Sequence, residues 1–314
     1  MNIKVVVEKL MANDDILILC HRSPDGDTIG AAFALHNALK RMGKNARIEC
    51  ADKFGDKFSH ITEDVEFNIF CPEYIVAVDV PSKMLLGAKE EEYPLVDLCI
   101  DHHVSHNPFA KHIFVEYTAA SACEIIYQLI CEMCGDVDDF EAKALYTGIA
   151  TDTGCFKFSN TTAQTHLIAA KLMLKDIDCA MINQKVFSKT KPCALLEAAV
   201  LNNANFYYDN KVAIQVVDEN MLNEIGANDD DAGILASTLQ AIDCVMLGIT
   251  IREIGNTCRI SVRSKGGISS AEFCKKFGGG GHEGAAGCTI EGNSDVAFCK
   301  ILDEVSKIFE EEEK

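Results

Sequence analysis

Short apolar runs alternate with stretches of helical periodicity through the first half of the chain. The runs are ILILC at 16–20, ARIEC at 46–50, YIVAVDV at 74–80 and LVDLCID at 95–101, with a helical pattern over about 28–42. That alternation predicts an α/β domain whose mostly parallel sheet is covered by helices. Parallel strands end at one edge, and open sheets of this kind bind ligands just beyond their carboxyl ends. The polar residues that follow the strands are therefore candidates for one shared site. From about 120 to 187 the pattern is chiefly helical, and SKTKPC at 188–193 reads as a break. A second series follows: strands near 204–208 and 211–217, helices near 219–225 and 232–241, then VMLGITIRE, TCRISVRS and GCTIE. We expect two domains, residues 1–188 and a smaller α/β unit over 201–314, joined by a linker at 189–200. The length of 314 residues agrees, since it exceeds what one hydrophobic core usually serves.

Composition narrows the partners. The net charge of -19 argues against broad electrostatic adhesion to duplex nucleic acid, so a polyanionic substrate needs local help from bound cations. No run approaches the ~20 apolar residues of a membrane helix, and no signal-peptide succession opens the sequence, so a cytoplasmic protein without membrane contact is expected. The 15 cysteines are scattered and odd in number, which reads as reduced core thiols rather than a disulfide scaffold. Cys131 and Cys134 form a lone CxxC on one face of a predicted helix, a weak signal for zinc. Arg252, Arg259, Arg263, Lys265, Lys275 and Lys276 cluster within 251–282, and the chain closes on the acidic FEEEEK; both read as solvated faces.

Chemistry concentrates behind the strands. HRSPDGDTIG follows the first one and sets His21, Asp25 and Asp27 within seven residues, with Gly26 permitting a tight turn between the carboxylates. Such a group repels or competes unless cations sit among its members. The spacing lacks the order of an EF-hand calcium loop. Asp79 lies near the end of YIVAVDV, where a helix cap or loop anchor is the plainer use. LVDLCID runs into Asp101, His102 and His103, and GIATDTGCF carries Asp152 at the end of a helical pattern, where it would also serve as a cap. Two imidazoles and four carboxylates suit two divalent ions of the Mn²⁺ type, whereas structural zinc draws on thiolate. In the second half, GGGGH is read either as a flexible loop or as Gly278 to Gly281 admitting an anion close to the backbone beside His282. Arg263 there supplies a fork suited to phosphate.

In this order HxxPDGDxxG, a later VD, the DHH triplet and TDTG resemble the four motifs of the DHH phosphoesterase superfamily. ISVRS followed by GGGGHEGAAG resembles its DHHA1 substrate-binding domain, and the pairing resembles the nanoRNase and pAp-phosphatase branch. The resemblance implies that His21, Asp25 and Asp79 hold one metal ion, and that Asp27, Asp79, His102 and Asp152 hold a second, so that Asp79 bridges. It further implies a shared water activated for in-line displacement. His103 is the candidate contact to the scissile phosphate, and Asp101 the group that orients a histidine. Arg263, Ser264, Gly279, Gly280, Gly281 and His282 are the candidate substrate contacts, facing the metals across a cleft. The implied substrates are RNA of two to five nucleotides, linear dinucleotides such as pApA, and pAp; a homodimer is compatible with this. Base stacking falls to Phe156 or a tyrosine, since the chain has no Trp. Competing readings are a cyclic di-AMP phosphodiesterase, a RecJ-like exonuclease, a family II inorganic pyrophosphatase, and a nucleotide sensor that binds without turnover.

Overall fold

A computed structural model describes residues 1–228 and 231–310, without the side chains of Ile234, His282 and Glu310. Among these residues the chain divides into two compact units, Met1–Ser188 and Lys189–Lys314.

The first unit runs α1 (Ile3–Ala12), β1 (Ile16–Leu19), α2 (Gly26–Arg41), β2 (Ala46–Glu49), α3 (Ser59–Thr62), β3 (Tyr74–Val78), α4 (Lys89–Glu92), β4 (Val96–Asp101), β5 (Ala110–Val115), α5 (Ala122–Cys134), α6 (Asp139–Asp152), α7 (Ala163–Leu172) and α8 (Cys179–Phe187). Its five strands lie in the order β2-β1-β3-β4-β5, all parallel. Helices cover a sheet of this kind on both faces, so its strands are near-continuous apolar runs. All four residues of β1 are buried, and Ile16 and Ile18 join the larger core while Leu17 and Leu19 join a smaller one on the other face.

Small residues set how closely α2 and α6 approach. A methyl group at Gly30 would stand 2.4 Å from the Ala144 carbonyl oxygen, and one at Gly148 would stand 3.0 Å from the Gly26 carbonyl oxygen. Gly26 belongs to the same seam: its Cβ would meet Thr151 Oγ1 at 2.3 Å. It is also the first residue of α2 and has no positive φ. Its glycine therefore serves close helix contact, and the turn expected from the sequence is not what requires it.

The second unit runs α9 (Lys191–Asn203), β6 (Asn205–Tyr207), β7 (Val212–Val217), α10 (Glu219–Ile225), α11 (Leu235–Gln240), β8 (Leu247–Ile254), β9 (Thr257–Ser264), α12 (Ser270–Lys275), β10 (Gly280–His282), β11 (Ala285–Glu291) and α13 (Ser294–Glu310). Residues expected to be a linker thus form most of α9, with Thr190 as its N-cap and Pro192 in its first turn, where a missing N–H costs nothing. The sheet order is β10-β11-β9-β8-β7-β6, mixed, with only β7 and β8 parallel. One face packs on a core that includes Phe273 of α12 and Ile301 and Val305 of α13. Ala213 and Val217 on the other face pack with Leu196 of α9 and Leu239 of α11.

No helix among the described residues is long and apolar enough to cross a membrane. All 15 cysteines are free thiols. Cys20, Cys99 and Cys123 are core residues as expected, but Cys71, Cys244 and Cys299 are exposed. The terminal EEEK lies outside the described residues.

Candidate metal centre

Three adjacent strands, β1, β3 and β4, end at one edge of the parallel sheet, and their next residues face one another. His21 follows β1, Asp79 follows β3, and Asp101, His102 and His103 close β4. Asp27 comes from the first turn of α2 and Asp152 is the last residue of α6. Chain order separates these groups widely, and the α2–α6 seam is what brings Asp27 and Asp152 to the sheet edge.

The geometry is a set of side chains aimed at shared points. His21 Nε2 lies 3.6 Å from Asp25 Oδ1 and 3.7 Å from Asp79 Oδ2. His102 Nε2 lies 3.7 Å from Asp27 Oδ2, 3.5 Å from Asp79 Oδ1 and 3.6 Å from Asp152 Oδ2. These separations are long for direct hydrogen bonds. They approach the roughly 3 to 3.4 Å expected between two ligands each ~2.1 Å from one ion. Asp79 turns one oxygen to each histidine.

The surroundings hold the ligand atoms in position. His21 Nδ1 lies 2.8 Å from the Arg22 carbonyl oxygen, which can only accept, so Nδ1 carries a proton and Nε2 faces the carboxylates. His102 Nδ1 meets the Ala119 carbonyl oxygen at 3.3 Å in the same way. Asp27 is buried, and its oxygens accept from the N–H groups of Ala122 (2.6 Å) and Cys123 (2.9 Å) at the start of α5. Asp25 caps α2, accepting from Asp27 N and Thr28 N. Asp79 is buried with φ 60, a left-handed conformation that Asp tolerates better than most residues, and its N–H donates to Ile100 O at 2.9 Å.

Electrostatics asks for positive charge here. Burial, reinforced by Asp27 and Asp25, drives the Asp79 carboxyl well above the usual range. Burial and neighbouring carboxylates push Asp152 up to about 8, and burial also raises Asp27. Burial opposes charge on His21, but Asp25 and Asp79 outweigh it and hold its pKa at about 9. Asp79 Oδ1 is buried without a hydrogen-bond partner. Hard carboxylate oxygens, imidazole nitrogens, their spacing and this unsatisfied oxygen all fit divalent cations. Three overlapping groups meet the spacing: His21, Asp25, Asp79; Asp27, His102, Asp152; and Asp79, His102, His103.

Asp101 stands behind the cluster. It is fully buried, with Oδ1 2.8 Å from His103 Nδ1 and Oδ2 2.7 Å from His106 Nδ1. His106 escapes sequence reading; its signal was a third histidine five residues beyond Asp101, in DHHVSH. Asn160 escapes it too, although its Nδ2 ties the Ala120 and Asp152 carbonyl oxygens together at 3.0 and 3.1 Å.

In the second unit the expected contacts divide. Arg263 is half-buried on β9 and donates from Nη1 to Val262 O. Backbone register sets positions 263, 285 and 282 in one row across β9, β11 and β10, while the His282 side chain lies outside the described residues. Ser264 is committed internally: its hydroxyl meets Ile268 O at 2.7 Å, Ser270 Oγ at 2.8 Å and Glu283 O at 3.1 Å. Nor is GGGGH a loose loop, since Gly280 and Gly281 pair with β11. A Cβ at Gly279 would stand 2.3 Å from Gly287 O, and one at Gly281 would stand 2.5 Å from Ala285 O; Gly278 and Gly280 have open space. Two of these glycines therefore answer to β11.

Family models decide the relationship. Residues 15–149 match the DHH family, N-terminal domain, and residues 209–311 match the DHHA1 domain. The chain carries a DHH domain and a DHHA1 domain. A bifunctional oligoribonuclease and PAP phosphatase NrnA of Thermus thermophilus is 29% identical over 311 residues, covering 96% of this chain and 93% of that protein. An exopolyphosphatase-related protein of Bacteroides fragilis superposes with a TM-score of 0.89 at 23% identity, over 98% of this chain and 97% of that one. RecJ of Thermus thermophilus in complex with Mn²⁺ superposes with a TM-score of 0.54 at 14% identity, over 98% of this chain but 54% of RecJ. The two structures share the fold.

Proposed function

We propose that the chain is a metal-dependent phosphoester hydrolase. It degrades short oligoribonucleotides and linear dinucleotides such as pApA to mononucleotides, and converts pAp to AMP. The observation that carries this reading is the convergence of His21, Asp25, Asp27, Asp79, His102 and Asp152, with nitrogen-to-oxygen separations of 3.5 to 3.7 Å, in a chain similar from end to end to a protein named for those two activities.

In this reading His21, Asp25 and Asp79 hold one divalent ion, and Asp27, Asp79, His102 and Asp152 hold the other. Ions bound there would supply a water acidified towards neutrality and positive charge for the phosphoryl oxygens. Mn²⁺ suits mixed imidazole and carboxylate ligands, and RecJ of like fold is known with that ion. Asp79 turns an oxygen to each side, which supports its role as the bridge. His103, oriented through Nδ1 by Asp101, presents its other nitrogen to the phosphate or to the departing oxygen, accepting as the neutral ring and donating as the imidazolium. Arg263 contributes a phosphate contact, and position 282 lies in its row.

A product time course tests this: pAp, pApA, cyclic di-AMP and RNA of two to twenty-four nucleotides, each with Mn²⁺ and with chelator. The reading expects pAp, pApA and the shortest RNAs to be consumed only with metal. Equal rates on long RNA, or turnover confined to cyclic di-AMP, would overturn the substrate assignment.

A further inference from the structure

Two large aromatic side chains stand in the open on the loops that carry the cluster. Phe158, 58% exposed, follows Asp152 by six residues. Tyr117, 57% exposed, precedes by two residues Ala119, whose carbonyl oxygen positions His102. The loops are fastened to each other, because Asn160 Nδ2 donates to carbonyl oxygens of both.

The conformation behind Phe158 is costly and well held. Gly154, Cys155 and Phe156 take φ 55, 57 and 64 in succession, and the last two bear side chains that disfavour that region. Lys157 N and Phe158 N both donate to Thr153 O, at 2.9 and 3.0 Å, and Phe156 N donates to Thr153 Oγ1 at 3.1 Å. This path lays the Phe158 ring on Gly154, where a Cβ would stand 2.4 Å from Cζ. Phe156 is half-buried, with its ring stacked on His166 at 5.3 Å and 24° and 6.1 Å from that of Tyr146. It is therefore not the free aromatic that the sequence pointed to. This strained, tightly bonded segment leaves a phenylalanine exposed six residues beyond Asp152, with its ring laid on Gly154.

We propose that Phe158, with Tyr117 on the neighbouring loop, is the platform on which the nucleobase next to the reacting phosphate stacks. The assignment rests on the reading of the cluster as a phosphoester site. A nucleotide carries its base one ribose away from its phosphate, so an aromatic rim beside Asp152 and His102 meets the base while the phosphate sits at the cluster. Stacking accepts any base and rewards no substrate that lacks one. The platform therefore selects nucleotides over inorganic polyphosphate without selecting among sequences.

The chain has no tryptophan, so Phe158→Trp introduces a single reporter. In the Mn²⁺-loaded protein, pAp and pApA should quench its fluorescence, whereas an abasic analogue of pApA should not. In kinetics with pApA, Phe158→Ala should raise KM roughly 5- to 100-fold with kcat changed less than about threefold. Phe158→Tyr and Phe158→Trp should restore KM, and Tyr117→Ala should move it less, in the same direction. Quenching by pAp without any hydrolysis would sink the hydrolase reading and leave the platform standing. An unchanged KM in Phe158→Ala, or equal quenching by the abasic analogue, would overturn the platform whether or not the enzyme turns over.

Discussion

Asp101 receives His103 and His106 on its two separate oxygens, at 2.8 and 2.7 Å, from a fully buried position directly behind the cluster. A carboxylate so placed fixes which nitrogen of each ring carries a proton, and with it the direction of the other nitrogen. Asp101→Ala should lower kcat about 10- to 100-fold, a typical cost of removing an orienting partner. Steady-state kinetics beside a circular dichroism spectrum checks this. Unaltered kcat in folded protein would remove Asp101 from the mechanism.

The α2–α6 seam makes a separate claim about packing. A methyl at 148 would stand 2.2 Å from Cys123 Sγ and 3.0 Å from Asp27 Oδ1, so Gly148→Ala should cost about 1–3 kcal/mol and displace a proposed ligand. Gly135→Ala is the control. Its Cβ meets nothing within 4 Å and only the φ of 82 resists it, so it should cost about 1 kcal/mol and keep full activity. Urea denaturation and turnover of the two variants would separate a clash at the site from backbone strain far from it.

His36 predicts a pH dependence unrelated to catalysis. It is buried on α2 with Nε2 on the Ala46 carbonyl oxygen, and burial, helped by Lys40, pulls its pKa down to about 4. A histidine depressed from 6.5 to about 4 binds fewer protons folded than unfolded across that interval. Its contribution is therefore complete above pH 6.5 and is lost as pH falls towards 4, by about 1.4 kcal/mol per pH unit at most. His36→Gln should show a shallower loss of stability than the parent between pH 6.5 and 4.5 in urea titrations. Parallel curves would mean that His36 titrates normally in the fold.

In the second unit, Arg263→Ala should chiefly raise KM, with kcat affected only by contacts made in the transition state. Gly279→Ala should destabilise the unit, because β11 occupies the space its side chain would need, while Gly280→Ala should fold normally. If neither kcat nor KM changed in Arg263→Ala, the phosphate contact assigned there would be wrong.

The parallel half-sheet is legible in the sequence because β1, β3 and β4 are apolar runs buried on both sides, and its ligands are legible because polar residues interrupt those runs at one end. β5 is not, since Lys111 and His112 are exposed on an edge strand and break the run. Nor is α1, where VVV imitates a strand and only the Asn2 side chain, accepting from Val5 N, marks a helix start. The turn read into Gly26 and the loose loop read into GGGGH share one cause. A glycine demanded by a neighbour distant in the chain looks, locally, like a glycine demanded by a turn. Nor does the spelling reveal that the Ser264 hydroxyl meets Ile268, Ser270 and Glu283. Asp25 does double service as α2 cap and as cluster member, which spacing alone does not distinguish.

The central claim is that one buried carboxylate joins two cation sites, and counting ions tests it most directly. Mn²⁺ titrated into chelator-treated protein, followed by calorimetry alongside hydrolysis of pApA, should reach two ions per chain, with activity rising as the second binds. In folded Asp79→Ala both binding and hydrolysis should be lost. Full hydrolysis in excess chelator, or two ions bound with unchanged turnover in Asp79→Ala, would contradict the account.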